Sequence, residues 1–215
     1  MTSKSKILNA AIEVFAEKGK HGATMDEIGG RAGINKAMVY YYYTSKDMLY
    51  HEALMDIIKE QSGRFATDPR SEQNPGGQIA TIERLIRKFF YGFNQDQNKS
   101  KILFESLINY PNDLHKVIKK VTAESEGPEF FAEEFLGVLK KGIKNKTFRN
   151  INPEHTLISI LGMSIIYNLM GKSIAETFLS MPVGDEKAFI SKREKSITDL
   201  VLYGICTQDA GGKGQ

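Results

Sequence analysis

The chain holds a single cysteine, Cys206, among its 215 residues, and only four histidines. One thiol cannot close a disulfide within the chain, and no CxxC or Cys/His cluster has the spacing of a zinc site. Neither a disulfide framework nor a metal centre is expected, and a reducing cytoplasm is the natural compartment. Long hydrophobic runs are missing too. The stretch 157–170 is broken by Ser159, Gly162, Ser164 and Asn168, well short of the roughly 20 apolar residues that a membrane span requires. The first residues lead into an amphipathic pattern carrying Glu13 and Glu17 rather than the apolar core of a signal peptide, so no membrane partner is expected. Net charge is small as well, +3 from 29 basic and 26 acidic residues, which by itself does not argue for nucleic acid. Its distribution leans slightly forward, with seven Lys/Arg against five Asp/Glu in residues 1–50. No Ser-His-Asp order, paired carboxylates or phosphate-cradling glycine loop stands out. The chain is therefore not expected to be an enzyme, and no cofactor is expected.

What is present is helical periodicity, with no stretch of strand alternation, and the class expected is all-α. A first helix starting near Ser3 or Ser5 would present Ile7, Leu8, Ala11, Ile12 and Phe15 on one face, with Gly19 as its stop. Thr24 and Glu27 have capping-box spacing and start a short helix that carries Ile28 and Ala32 inward and ends at Gly33. Asn35 caps a third helix, 36–43, and Ser45 a fourth running to about 65. A loop is expected over 67–77, then helices near 78–95, 99–109, 111–125, 128–145, 153–179 and 186–207, punctuated by Pro111, Gly127, Pro128, Pro153 and Pro182. The glycine-rich tail 209–215 is expected to be disordered.

Two short helices joined by the turn Ala32, Gly33, Ile34, Asn35 are the core of a helix-turn-helix, with Gly29 and Gly33 letting the chain approach itself and reverse. At 100° per residue, Val39 and Tyr43 of the third helix share a face that can pack inward, while Ala37 and Tyr41 point nearly opposite and Lys36, Met38 and Tyr40 flank them. The outward face is thus small, cationic and phenolic. Ala37 admits a close approach of backbone to base edges, Lys36 can donate to guanine or phosphate, and tyrosine hydroxyls can donate to phosphate oxygens. Lys46 adds a cation beside helix-start amides that already attract anions. A packing surface alone would have no use for a lysine and three phenols on the face opposite Val39 and Tyr43.

Residues 24–28, 32–35, 39–43 and 45–49 together resemble the amino-terminal signature of the TetR family of bacterial regulators over roughly the first fifty residues. The resemblance implies an N-terminal three-helix DNA-binding domain at 1–50 and a larger helical effector-binding and dimerisation domain at 51–208. It places Tyr40, Tyr42 and Lys46 on phosphate-contacting positions, Lys36, Ala37, Met38 and Tyr41 on groove-facing ones, and Thr24, Met25 and Asp26 at a helix start that touches the DNA backbone. Asn35, Ala37, Gly29 and Tyr43 depart from the commoner serine, glycine, alanine and phenylalanine, each by a residue that can play the same part.

The same resemblance implies an effector pocket and a dimer formed by the last two helices. Phe90, Phe104, Phe131, Phe135, Met163 and Tyr167 are candidate lining residues, although such stripes are more often plain core. Glu105, Asn109 and Asn168 are polar groups on apolar helices, for which a ligand is one possible partner and ordinary protein contacts another. A Glu105 facing the cavity would favour an amine or cationic effector. Ile158, Leu161, Gly162, Ile165 and Leu169, with Ile197, Leu200, Val201 and Gly204, form two apolar stripes, either a dimer interface or the core of a monomer. A dimer lets two recognition helices occupy successive major grooves about 34 Å apart. The function expected is a transcriptional repressor bound to a pseudo-palindromic operator on double-stranded DNA and released by an unidentified small molecule. The alternative is a nucleoid-associated or interaction protein without an effector.

Overall fold

A computed structural model of the chain describes residues 2–65, 77–92, 96–124 and 131–207, apart from the side chains of 62–65, Phe131, Asn168 and Leu169. These residues form ten α-helices and no strand: α1 (Ser3–Gly22), α2 (Met25–Ala32), α3 (Lys36–Tyr42), α4 (Lys46–Phe65), α5 (Gly77–Gly92), α6 (Gln97–Asn109), α7 (Pro111–Glu124), α8 (Phe131–Lys144), α9 (Pro153–Phe178) and α10 (Glu186–Ile205). The all-α expectation holds. Residues 67–76 of the expected loop and the tail 209–215 lie outside the described residues.

Local chemistry sets the helix ends. Thr24 Oγ1 accepts from the Glu27 amide at 3.2 Å while Glu27 Oε2 accepts from the Thr24 amide at 3.2 Å, the reciprocal pair that starts α2. Gly33 ends α2 at φ +66, a left-handed backbone that glycine adopts without penalty. Asn35 Oδ1 accepts from Met38 N at 2.9 Å to start α3, and Ser45 Oγ accepts from Met48 N at 3.1 Å to start α4. Gly19, expected to stop α1, instead breaks it: its φ is +70, and helical turns resume to Gly22.

The chain divides into two compact units, Met1–Arg64 with Gln95–Gly127, and Phe65–Asn94 with Pro128–Gln215. The first unit draws α6 and α7 into the core of the amino-terminal helices. Ile7, Phe15, Ile28, Val39, Tyr43, Leu49, Tyr50 and Leu54 pack in one cluster with Ile102, Leu114, Val117 and Val121, so α6 and α7 cover the amino-terminal helices rather than leaving them a free module. Burying apolar surface at about 25 cal/mol per Å² makes that cluster the main stabilising term of the unit.

In the second unit, α5 buries Ile82, Leu85, Ile86, Phe89 and Phe90 on one face, with Phe135 and Leu139 of α8 and Ile197, Val201 and Ile205 of α10 also buried. Gly142 of α8 is required by a close approach: a Cβ there would lie 2.1 Å from the Phe148 ring. Arg149 N donates to Ile205 O at 2.8 Å and Thr207 N to Thr147 O at 3.2 Å, clipping the end of α10 to the turn after α8. No single described helix is long and apolar enough to cross a membrane.

Candidate nucleic-acid interface

The close packing of α2 and α3 begins at Gly29, where a Cβ would stand 2.8 Å from Ile34 O and 3.1 Å from Val39 Cγ2. That contact orients α3. Val39 and Tyr43 are buried, and Lys36, Ala37, Tyr40 and Tyr41 are exposed, Tyr41 at 77 %. Burial pushes the Tyr43 hydroxyl up to about 12, so it is a neutral core group at any physiological pH. Tyr42 is half-buried and packs against the core, its ring edge-on to Tyr41 at 5.3 Å. Met38 is half-buried too, and Asn35 and Thr24 are exposed caps. Met25 is the correction on this surface: at 6 % exposure its side chain belongs to the core, which leaves only its backbone amide for any contact with DNA.

The cations of this region are held by partners. Arg31 of α2 bonds Glu17 of α1, holding that carboxyl below its usual range, and Lys18 does the same to Glu27. Lys46 Nζ donates to His21 O at 3.0 Å and Ala23 O at 2.9 Å, so it caps the carbonyls closing α1 and keeps one of its three N–H groups for a phosphate. Lys36 Nζ stands 2.9 Å from both Asp26 oxygens. The hydrogen bond from Lys36 to Asp26 and the carboxylate's charge raise the lysine's pKa, so Lys36 stays cationic.

Behind this surface lies a knot that the pattern of the sequence does not announce. The Lys20 side chain is 11 % exposed, its Nζ 3.1 Å from Asp47 and 3.8 Å from Asp113. The same ammonium sits 5.1 Å from the Tyr50 ring centroid and 4.8 Å from that of Tyr110, distances at which a cation is attracted by the ring faces. The Lys20 amide, freed by the break at Gly19, donates to Glu105 Oε1 at 3.0 Å. Glu105 of α6 therefore caps the broken turn of α1 through Oε1. Burial would raise the Asp113 carboxyl, but the His51 hydrogen bond and the charges of His51 and Lys20 outweigh it and hold the pKa below its ordinary 3.8. Ser106 Oγ lies 2.8 Å from Ile102 O and is hydrogen-bonded to the Tyr50 hydroxyl at 2.7 Å.

The residues expected to line a pocket divide between the two units. Phe104, Glu105 and Asn109 belong to the first, where Phe104 is buried and Asn109 is exposed, not buried on an apolar face. Phe90, Phe135, Met163 and Tyr167 belong to the second. There Phe90 stacks on Tyr167 at 5.0 Å, and Tyr167 meets Phe189 at 5.8 Å; burial pushes the Tyr167 hydroxyl up to about 12. Phe131 and Asn168 lie outside the described side chains, as does Leu169 of the dimer stripe. Within that stripe Ile158, Gly162, Leu200 and Gly204 are exposed and Leu161 and Ile165 half-buried. Ile197 and Val201 are corrections, because both are buried inside their own unit.

The family described as bacterial regulatory proteins, tetR family, matches residues 7–53, the span holding most of α1, all of α2 and α3, and the start of α4. The HTH-type transcriptional regulator RutR of Escherichia coli (strain K12) is 38 % identical over 203 residues, 94 % of this chain and 90 % of that protein. The chain belongs to the TetR family. A second relative of this kind, the HTH-type transcriptional activator FasR of Mycolicibacterium smegmatis, is 30 % identical over 109 residues, 48 % of this chain and 46 % of FasR, so the match spans less than half of that relative. The solved structure of the ketosteroid transcriptional regulator KstR2 of Mycobacterium tuberculosis has the same fold, with a TM-score of 0.71 over 96 % of both chains at 16 % identity.

As a TetR-family regulator the chain binds DNA through its helix-turn-helix. Two features of this surface escaped the reading of the sequence: the ion pair between α2 and α3, and the knot that holds the end of α1. Asp26 and Lys36 are ten residues apart across a turn, a spacing with no periodic signature. The exposed apolar residues of α9 and α10 were legible in principle, since Ile158, Gly162, Ile166 and Met170 follow i+4 spacing. Ile166, Met170, Phe178 at 79 % and Tyr203 at 87 % exposure are the members that sequence reasoning left out.

Proposed function

We propose that this regulator is a cytoplasmic repressor that grips a pseudo-palindromic operator as a homodimer and is released by a small-molecule effector. The observation that carries the reading is the sidedness of α3, with Val39 and Tyr43 in the core and Lys36, Ala37, Tyr40 and Tyr41 outside. Such a face offers a methyl for close approach, a cation for an acceptor and hydroxyls for phosphates. Thr24, Asp26, Asn35, Met38, Tyr42 and Lys46 border it. Dimerisation is supported by the exposed apolar residues of α9 and α10, Ile158, Ile166, Met170, Leu200 and Tyr203, a set too apolar to be left in water. The effector belongs in the second unit, beside the aromatic series Phe90, Tyr167 and Phe189, which favours an apolar or aromatic molecule.

The test is selection of duplexes from a randomised pool by the full chain, followed by footprinting on the sites recovered. Recovery of an inverted repeat protected on two successive major grooves is expected. Failure to enrich any sequence at moderate salt would overturn the reading.

A further inference from the structure

Asp26 is an odd group to find where a polyanion must dock. It is exposed, it stands in the first turn of α2, and a carboxylate there repels any phosphate that approaches. Its placement becomes intelligible through Lys36, the first residue of α3, whose ammonium straddles both Asp26 oxygens at 2.9 Å each. A lysine at a helix start sits against the positive end of the dipole and, left alone, is drawn to whichever phosphate comes near. Held by Asp26, it meets a phosphate only if that phosphate displaces or tolerates the carboxylate.

A base edge makes a different demand. The major-groove edge of a G·C pair presents two adjacent acceptors, guanine N7 and O6, next to the N4 amino donor of cytosine. A lysine bridging N7 and O6 with a carboxylate beside it matches that order of groups, and the carboxylate keeps donors on both sides. An A·T edge puts the adenine amino donor between its two acceptors, so one ammonium cannot bridge them.

We infer that Asp26 is a specificity-determining residue, which keeps Lys36 off the phosphates and commits it to the guanine of one G·C pair in each half-site. The inference rests on the DNA-facing reading of α3. It goes further in assigning the acidic member of the pair a role in base choice.

The experiment measures salt-dependent binding of the wild type, Asp26→Asn, Lys36→Ala and the double variant. The probes are a duplex selected by the wild type, the same duplex with each position replaced in turn, and a scrambled duplex of equal length. Removing the carboxylate frees the Lys36 of both protomers for phosphate, so Asp26→Asn steepens the salt slope of the dimer on scrambled DNA by about 1.8, the increment for two more phosphate contacts. The gain of Asp26→Asn over wild type on scrambled DNA therefore widens roughly twelvefold for a fourfold dilution of salt. Discrimination falls at one symmetric G·C position and at no other, and in the Lys36→Ala background Asp26→Asn changes no base preference. A DNA-side arm needs no variant: replacing that guanine by 7-deazaguanine weakens wild-type binding about tenfold, within the range for loss of a good base contact, and weakens Asp26→Asn less. Thermal melting of each variant in parallel reports the fold. Equal gains on selected and scrambled duplexes, with every base preference intact, would mean that Asp26 acts only as bulk charge and would overturn the inference. If the wild type selects no sequence at all, it is the DNA-facing reading itself that fails.

Discussion

Lys20 and Lys36 belong to the same unit, sixteen positions apart, and they are used in opposite ways. Lys20 is enclosed by Asp47, Asp113 and two tyrosine rings, with its backbone amide fixed by Glu105. Lys36 is held by one exposed carboxylate on one side and is open on the others. The first arrangement spends a cation on geometry, fixing where α1 ends and hence where α2 and α3 begin. The second keeps a cation ready for exchange. A DNA-binding surface needs both, since an available donor is useful only if the backbone behind it is stationary.

The contrast is broken most strongly at the buried end. Lys20→Ala should lower unfolding free energy by about 2–3 kcal/mol, from lost stem packing and two ring contacts, as read by urea denaturation, whereas Lys36→Ala should leave the denaturation midpoint unchanged and weaken binding to the selected duplex. A Lys36→Ala protein that unfolds early would erase the distinction. Next in size is Glu105→Ala, which removes the acceptor of the Lys20 amide and should cost about 1–2 kcal/mol; Glu105→Gln keeps an acceptor oxygen and should recover at least half. Equal losses in the two variants would show that the bond is incidental. Tyr50→Phe deletes the hydroxyl bonded to Ser106 and should cost about 1 kcal/mol, with DNA affinity following only through stability.

The smallest effect is on acid sensitivity. Because the folded-state pKa of Asp113 lies below its unfolded value, its contribution is fully present above about pH 4 and is lost as pH falls through the folded value. Asp113→Asn should therefore flatten the acid limb of a stability–pH curve below about pH 4.

How much of this was legible depended on whether a signal is local. Caps are local: Thr24 with Glu27, Asn35, Ser45 and Gly33 could be read because their partners lie within three or four residues. The sidedness of α3 followed from its 100° repeat for the same reason. Glu105 was read as a polar interruption on an apolar helix, and its partner, the amide of Lys20, is 85 residues away and exists only because α1 breaks at Gly19. Ile197 and Val201 share an apolar stripe with Leu200, but the two faces of α10 differ in what covers them, and a stripe does not say which side meets its own unit. That α6 and α7 share the core of the amino-terminal helices was not legible, because their buried faces complete a core begun about ninety residues earlier.

The clip that joins the end of α10 to the turn after α8 also has a practical consequence. With Arg149 N bonded to Ile205 O and Thr207 N to Thr147 O, the chain leaves residue 207 from an anchored point rather than from a fraying helix. A fluorophore or affinity handle attached at residue 207 itself starts from a fixed origin, which suits distance measurements in labelled regulator far better than a label on an unpinned segment.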